Sequence, residues 1–180
     1  MKITLKDGSV KEYSEARSII DIAKDISEGL ARVACAGEIN GEMADLRTVI
    51  GEDCELNIIT ATDSKALHVI RHTASHVLAE AVKRLFPEAK VTIGPAIDDG
   101  FYYDFDADPF SREDLDRIEA EMKKIVKAGH EITRFTLPRA EAVRLMEEKG
   151  EPFKVELIQD LPEDAEISFY DQGGFVDLCA

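Results

Sequence analysis

Residues 64–86 carry a regular hydrophobic pattern that any fold of this chain has to accommodate. The apolar positions recur every three or four residues, which is the period of an amphipathic helix. They are Leu67, Val69, Ile70, Ala74, Val77, Leu78, Ala81 and Val82. Ser64 lies before the pattern as the expected N-cap and Pro87 ends it, so the sequence predicts one long helix.

Three of the four histidines lie on this predicted helix at intervals of four residues: His68, His72 and His76. Side chains four apart project from the same helix face, so His72 and His76 can share a water molecule, a metal ion or a substrate group. From the spacing alone, a surface stripe that happens to contain histidines is the favoured interpretation, because a lone His-x-x-x-His motif is weak.

The composition is that of an ordinary globular protein of one or two domains, with 180 residues, 44% hydrophobic and 33% charged. No apolar run approaches the ~18–20 residues that span a bilayer, and no signal peptide is evident. Three cysteines, Cys35, Cys54 and Cys179, are odd in number and far apart. That pattern favours a reducing cytoplasm over a disulfide framework, and no membrane partner is expected.

The net charge of −15 argues against binding of nucleic acid by the whole surface, because phosphate contacts need Lys and Arg. Any contact with RNA therefore needs a local basic patch. The candidates are Lys83, Arg84 and Lys90 beside the histidine helix, and Lys123, Lys124 and Lys127 on a later one. For the second group, a solvated helix face is the favoured interpretation.

Residues 1–60 predict a small mixed domain in the order of a β-grasp fold. The expected elements are a strand at residues 3–5, a turn at Asp7-Gly8, a returning strand at 10–13, a helix at 18–30, and strands at 32–36 and 56–59. A turn-rich connection is expected at residues 37–41. A domain of this size without cofactor motifs favours binding or docking over catalysis, and Cys35 and Cys54 are interpreted as structural.

The remainder predicts an α+β domain, because helices and strands mix without a regular βαβ rhythm. Strands are expected at residues 90–93, 100–105, 132–136, 155–158, 167–170 and 175–179. Helices are expected from Ser111, which with Asp114 resembles a capping box, to Gly129, and from Pro138 to Gly150.

Cys179 on the last strand could join the histidine pair. His72, His76 and Cys179 would make a three-ligand zinc set completed by water, or a metal-free set that positions a hydrolytic water. Asp177 lies two residues before Cys179, so on a strand both side chains point to one face. Tyr103 and Lys154 could close around a small substrate, although from the sequence alone a structural role is favoured for each.

Two resemblances connect the chain to known families. The phrase Ala36-Gly37-Glu38-Ile39-Asn40-Gly41-Glu42 makes residues 1–62 resemble a TGS domain, which is a ubiquitin-like β-grasp module. Four further motifs resemble, in order and spacing, the editing domain of bacterial threonyl-tRNA synthetase. They are Arg71-His72-Thr73-Ala74-Ser75-His76, Ile93-Gly94-Pro95, Gly100-Phe101-Tyr102-Tyr103-Asp104 and Asp177-Leu178-Cys179.

The resemblance implies a TGS domain at residues 1–62 and an editing domain at residues 63–180, with a long histidine-bearing helix against a mixed or antiparallel sheet. The implied reaction is hydrolysis of mischarged seryl-tRNA(Thr). Serine lacks one methyl group of threonine, and a missing methyl discriminates by only ~1–3 kcal/mol, so accuracy requires a second site. The implied partners are the tRNA(Thr) 3′ end, the serine or threonine moiety and the rest of a cytoplasmic, homodimeric synthetase.

The resemblance also assigns catalytic roles to four side chains. His72 would act at the terminal ribose and assist proton transfer, while His76 would orient water or substrate. Cys179 would help to hold the attacking water, and Lys154 would hold the substrate and water. In this family pattern the editing site works without a cofactor, although zinc at His72, His76 and Cys179 stays an alternative.

Tyr103 and Asp177 match pocket residues that grip the amino acid, whereas His68 falls outside the motif. In full-length relatives a Gly-Pro-His sequence follows the cysteine, and its histidine joins the site. The sequence ends one residue after Cys179. We therefore expect a fragment with a truncated editing domain and without the aminoacylation domain that carries ATP and zinc. Two alternatives stay open: a non-catalytic RNA-docking fragment, and a zinc-dependent hydrolase of free mischarged tRNA.

Overall fold

The computed structural model describes residues 1–179, which form two units, Met1–Arg71 and the residues from His72 onward. The division falls inside the longest helix, between Arg71 and His72. No helix among the described residues has the length and apolarity that crossing a membrane requires.

The first unit is built on a five-stranded mixed sheet. Its elements are β1 (Lys2–Leu5), β2 (Val10–Glu12), β3 (Arg17–Ser18), α1 (Ile19–Ile26), α2 (Glu28–Val33), β4 (Ala34–Ile39), β5 (Glu42–Ala44), β6 (Val49–Ile50) and β7 (Cys54–Thr60). The strand order is β2-β1-β7-β4-β5, in which β1 and β7 are parallel and the other neighbours antiparallel. Buried aliphatic side chains of α1 pack with those of β1, β6 and β7, as the predicted β-grasp fold requires.

Two details of this unit differ from the prediction. The expected helix at residues 18–30 is two helices, because Ser27 adopts an extended backbone and its Oγ accepts the Leu30 N–H at 3.0 Å, which starts α2. The expected strand at residues 32–36 begins later, at Ala34, and continues to Ile39. The turn is thereby confined to Asn40 and Gly41, both with positive φ.

The histidine-bearing helix is α3 (Ser64–Leu85), close to the predicted bounds. Ser64 is its first helical residue, so the expectation that Ser64 is the N-cap is wrong. Asp63 takes that place, because its Oδ1 accepts the Lys65 N–H at 3.0 Å.

The second unit continues α3 with three small antiparallel sheets and three more helices. The elements are β8 (Lys90–Val91), β9 (Ala96–Ile97), β10 (Gly100–Phe101), β11 (Phe105–Asp106), α4 (Arg112–Ala128), β12 (Ile132–Thr136), α5 (Arg139–Glu148), α6 (Pro152–Asp160), β13 (Ser168–Gln172) and β14 (Phe175–Leu178). The pairs are β8 with β11 and β9 with β10, and β12-β13-β14 form a three-stranded sheet. The α+β class is therefore confirmed.

Two apolar clusters stabilise this unit and position its site. One joins α3 to α4 through Val77, Val82, Ile118 and Ile125. The other packs α5 and α6 against β13 and β14, with Phe169 fully buried at its centre. The helix that presents the histidines and the hairpin that ends near Cys179 therefore each have a rigid support.

The expected strand at residues 155–158 is wrong, because this segment is part of α6. A short apolar run cannot by itself distinguish a strand from a buried helix segment. Pro152 at the first helical turn favours the helix, and the buried residues Lys154 and Ile158 lie four apart on one face. The expected strand at residues 100–105 is also interrupted, because Tyr102 to Asp104 lie between β10 and β11.

The capping box of α4 provides a test of this fold. Ser111 Oγ accepts the Asp114 N–H, and the Asp114 carboxylate accepts the Ser111 N–H at 3.0 Å. We expect Ser111→Ala to lower the free energy of unfolding by about 1 kcal/mol, because the orphan donor of the first turn loses its partner. Denaturant titration measures the change. Ser111→Thr keeps the hydroxyl and is the control; equal losses in both variants would contradict the capping role.

Candidate functional site

Two consecutive turns of α3 present His72 and His76 to the same region of the second unit. Their ring centroids lie 4.7 Å apart and the rings are nearly perpendicular, at 80°. His72 Nε2 lies 3.2 Å from His76 Nε2, which is within hydrogen-bond distance. The four-residue spacing thus produces the close pair that the sequence indicated. His68, one turn earlier, is exposed.

The hairpin β13–β14 brings two acceptors to these histidines. His72 Nε2 lies 3.0 Å from Cys179 Sγ, and His76 Nδ1 lies 2.8 Å from Asp177 Oδ2. Because Asp177 and Cys179 are two residues apart on extended chain, they occupy the same face, as predicted. Each turn of the helix is therefore matched by one residue of the hairpin.

Asp177 is the centre of the site, with only 2% of its surface exposed. Its Oδ2 accepts hydrogen bonds from the Tyr103 hydroxyl at 2.7 Å and from His76. Lys154 Nζ lies 2.7 Å from Oδ1 and forms an ion pair with it, although the angles of this contact are not those of a hydrogen bond. A buried carboxylate is tolerated only with such compensation, so these three side chains are fixed around it.

Lys154 and Tyr103 form the other walls of the site. Lys154 comes from α6, is 3% exposed, and lies with its Nζ 5.4 Å from the centre of the Tyr103 ring. The Tyr103 ring in turn packs directly on the backbone of Gly94, where a Cβ atom would overlap the ring. Glycine is required at position 94 because of this close approach.

Ser75 connects the same loop to the helix, and sequence reasoning did not single it out. Its fully buried Oγ lies 2.7 Å from the Gly94 carbonyl oxygen and 2.8 Å from that of His72, and it donates its proton to either. The signal available in the sequence was a serine on the helix turn between the two site histidines. Ser75 therefore fixes the Gly94–Pro95 segment beside the histidine pair.

A cavity of about 310 Å³ opens at this cluster, and all six side chains singled out from the sequence line it. They are His72, His76, Tyr103, Lys154, Asp177 and Cys179. The rest of the lining is mainly apolar and includes Ile93, Pro95, Leu157 and Leu161. Convergent polar groups in a small, partly apolar cavity are typical of a site for a small ligand.

The hydrogen bonds shift the pKa values of these groups. Burial alone would raise the pKa of Asp177, but the His76 hydrogen bond and the Lys154 charge outweigh it and lower the pKa to about 2. Burial alone would lower the pKa of His76, but bonding to Asp177 and Cys179 raises it from 6.5 to about 9. Burial and the nearby Asp177 carboxylate raise the pKa of Tyr103.

The pKa of the Cys179 thiol is shifted in the direction opposite to that expected for a buried thiol without partners. Burial would raise its pKa, yet the hydrogen bonds and charges of His72 and His76 lower the pKa to about 6. Near neutral pH the cluster therefore holds a thiolate beside a protonated imidazole, with the Asp177 carboxylate behind it. Such charged pairs in a cleft are common at functional sites.

The same donors could hold a metal ion. One ligand atom each from His72, His76 and Cys179 lie within 4.8 Å of one another, and two imidazoles with a thiolate suit tetrahedral zinc. Asp177 at His76 Nδ1 is the outer carboxylate that zinc-binding histidines commonly have. The residues present therefore fit zinc.

The raised pKa of His76 can be measured directly. We expect NMR titration of the imidazole to show a midpoint near pH 9, and Asp177→Asn to lower the midpoint by at least about one unit, because the anionic acceptor is lost while burial persists. The resonances of exposed His68 serve as the internal control. A midpoint that stays near 9 in the Asn variant would contradict the role assigned to Asp177.

Comparison with known proteins agrees with the motifs. The TGS domain family model matches residues 1–60. Over the whole chain, the threonine–tRNA ligase of Acetivibrio thermocellus is 61% identical and that of Clostridium perfringens 59%, and over 99% of the chain that of Clostridioides difficile is 56% identical. The chain spans 28% of the length of each of these relatives. The resemblance inferred from the motifs is thereby confirmed: the chain contains a TGS domain and is similar throughout to the N-terminal region of bacterial threonine–tRNA ligases.

Proposed function

We propose that the second unit contains an editing site. This site hydrolyses the ester that joins serine to the 3′-terminal ribose of tRNA(Thr). In this proposal residues 63–180 are the editing domain and residues 1–62 the TGS domain of a longer cytoplasmic, homodimeric synthetase. The main support is the cavity in which Asp177, His76, His72 and Cys179 form one hydrogen-bonded series.

The series suggests how a water molecule is activated. Asp177 holds the Nδ1 side of His76, which leaves His76 Nε2 facing His72. His72 is half-buried at the cavity and can accept a proton from a water molecule that Cys179 and His76 orient. In this proposal His72 acts as the general base in its neutral form, in which an unprotonated ring nitrogen takes the proton of the water.

The reaction then follows the usual course of ester hydrolysis. The water oxygen attacks the carbonyl carbon while its proton passes to His72. The bond between the carbonyl carbon and the ribose 3′ oxygen breaks, and His72 returns the proton to that oxygen. The products are serine and tRNA with a free 3′ hydroxyl. The Lys154 ammonium would hold the water and the carbonyl oxygen at the cavity wall.

Discrimination against threonine is proposed to be steric. Tyr103 and the Gly94–Pro95 segment pack closely, and Ser75 fixes that segment to the helix. Because this cavity wall is rigid, it excludes the extra methyl group of threonine. A flexible pocket would discriminate a methyl group by only ~1–3 kcal/mol. Tyr103 and the Asp177 carboxylate would grip the polar groups of the amino acid.

The catalytic role of His72 can be tested on the chain itself. We expect His72→Ala to slow hydrolysis of seryl-tRNA(Thr) by at least about 100-fold, because general base catalysis is lost. The rate is measured by release of labelled serine, with His68→Ala as the control that keeps the normal rate. Hydrolysis that is unchanged in the His72 variant would contradict the mechanism.

The same variant distinguishes the proposed hydrolase from a second candidate function, that of a non-catalytic RNA-docking fragment. That function predicts tRNA binding that is unaffected by His72→Ala, without hydrolysis by either protein. A chain extended beyond Ala180 by the Gly-Pro-His sequence of relatives is the further comparison, since the family pattern adds that histidine to the site.

The donor set supports one more candidate, a zinc-dependent hydrolase of mischarged tRNA. Zinc held by His72, His76 and Cys179 would act as a Lewis acid on the ester carbonyl. The metal-free mechanism is the leading candidate because, in the family pattern, the site works through a water molecule that the side chains activate.

Metal analysis decides between these two mechanisms. We expect the purified chain to contain far less than one zinc ion and to hydrolyse seryl-tRNA(Thr) at the same rate after dialysis against a chelator. About one zinc per chain, together with activity that disappears on chelation and returns with zinc, would instead establish the zinc mechanism. Elemental analysis and the serine-release assay provide the two measurements.

A further inference from the structure

Glu80 lies one helical turn beyond His76 on α3, and its carboxylate is buried, with 2% of its surface exposed. Arg84 Nη2 donates to Glu80 Oε1 at 2.6 Å, and the Gln172 side-chain amide donates to Oε2. Arg84 also bonds Glu121 of α4 at 3.1 Å. A buried carboxylate needs this compensation, so its contacts are fixed in place.

The Gln172 contact belongs to a regular series between α3 and the hairpin. His72 meets Cys179, His76 meets Asp177, and Glu80 meets Gln172, so each of three consecutive helix turns presents a polar side chain to the hairpin.

The spacing of the two elements explains this series. Four helical residues advance ~6 Å and two strand residues ~6.7 Å. Gln172 is paired with Phe175, which lies two residues before Asp177, so the three hairpin positions are evenly spaced.

Gln172 holds the turn end of the hairpin. It is the last residue of β13 and precedes Gly173 and Gly174, whose φ angles of 63° and 98° form the turn. Its side-chain oxygen has no hydrogen-bond partner among the described residues, so the contact to Glu80 is the bond that fixes this buried amide. Removal of Glu80 would leave the amide unsatisfied, which favours a shift of the hairpin.

We propose that Glu80 is a positioning residue: through Gln172 it sets the register of the β13–β14 hairpin along α3, and thereby the contacts of Asp177 and Cys179 with the two histidines. Glu80 does not line the cavity, so its effect on chemistry is indirect. The kinetic part of this inference rests on the proposed hydrolysis, whereas the geometric part does not.

A swap of the two partners tests the contact. Gln172→Glu alone places two carboxylates together, and Glu80→Gln with Gln172→Glu restores an amide–carboxylate pair. We expect the single variant to lower kcat for seryl-tRNA(Thr) by about tenfold with KM changed less than twofold. We expect the double variant to recover to within about threefold of the original rate. Glu119→Gln, which breaks an exposed ion pair on α4, is the control with unchanged kinetics.

A second measurement does not depend on hydrolysis. In a Cys35→Ser, Cys54→Ser background, alkylation of Cys179 by iodoacetamide at pH 7 reports its contact with the histidines. We expect Gln172→Glu to slow this reaction by about threefold or more, and the swap to restore it, because a thiol away from imidazole is less ionised. Thermal unfolding of each variant shows that it is folded.

The outcomes separate the two proposals. If the single variant is less stable but keeps both kcat and the alkylation rate, Glu80 has a structural role only and the inference is overturned. If the swap does not restore either rate, the inference is also overturned. If the original chain does not hydrolyse seryl-tRNA(Thr), the proposed function fails, and the alkylation rates alone decide whether Glu80 positions the hairpin.

Discussion

The site depends on one buried negative charge. The Asp177 carboxylate is removed from water and accepts contacts from His76, Tyr103 and Lys154, which come from three different segments of the second unit. Desolvation of an unpaired carboxylate costs several kcal/mol, so loss of any of these contacts would destabilise the folded state. Asp177 also raises the pKa of His76 and holds the Lys154 ammonium at the cavity, so this one carboxylate contributes both to stability and to the chemistry of the site.

The histidine pair and the Asp177–Cys179 pair could be predicted because both follow from local periodicity. Residues four apart on a helix and two apart on a strand share a face in any fold. The sequence could not show that these two faces meet, because a contact between residues 72 and 179 is a property of the tertiary fold. The resemblance to a known family supplied that juxtaposition in place of a physical derivation.

The errors have a common physical origin. The apolar run at residues 155–158 fits a strand as well as a helix, because four residues cannot distinguish the two periods; Pro152 is the signal that favours the helix. That error concealed how Lys154 reaches the cavity from a helix. Ser75 and Glu80 were missed because a polar residue on an amphipathic helix is normally exposed, and only the fold shows that both are buried with partners.

The contact between Gly94 and the Tyr103 ring limits how the cavity can change. Any larger residue at position 94 would displace the ring and with it the hydroxyl that Asp177 needs, so this wall cannot be rebuilt one substitution at a time. On the α6 side, Leu157 in the helix and Leu161 at its C-terminal end line the cavity with aliphatic side chains. Evolution or engineering that alters the size of an accepted molecule can therefore act through the aliphatic side chains on the α6 side.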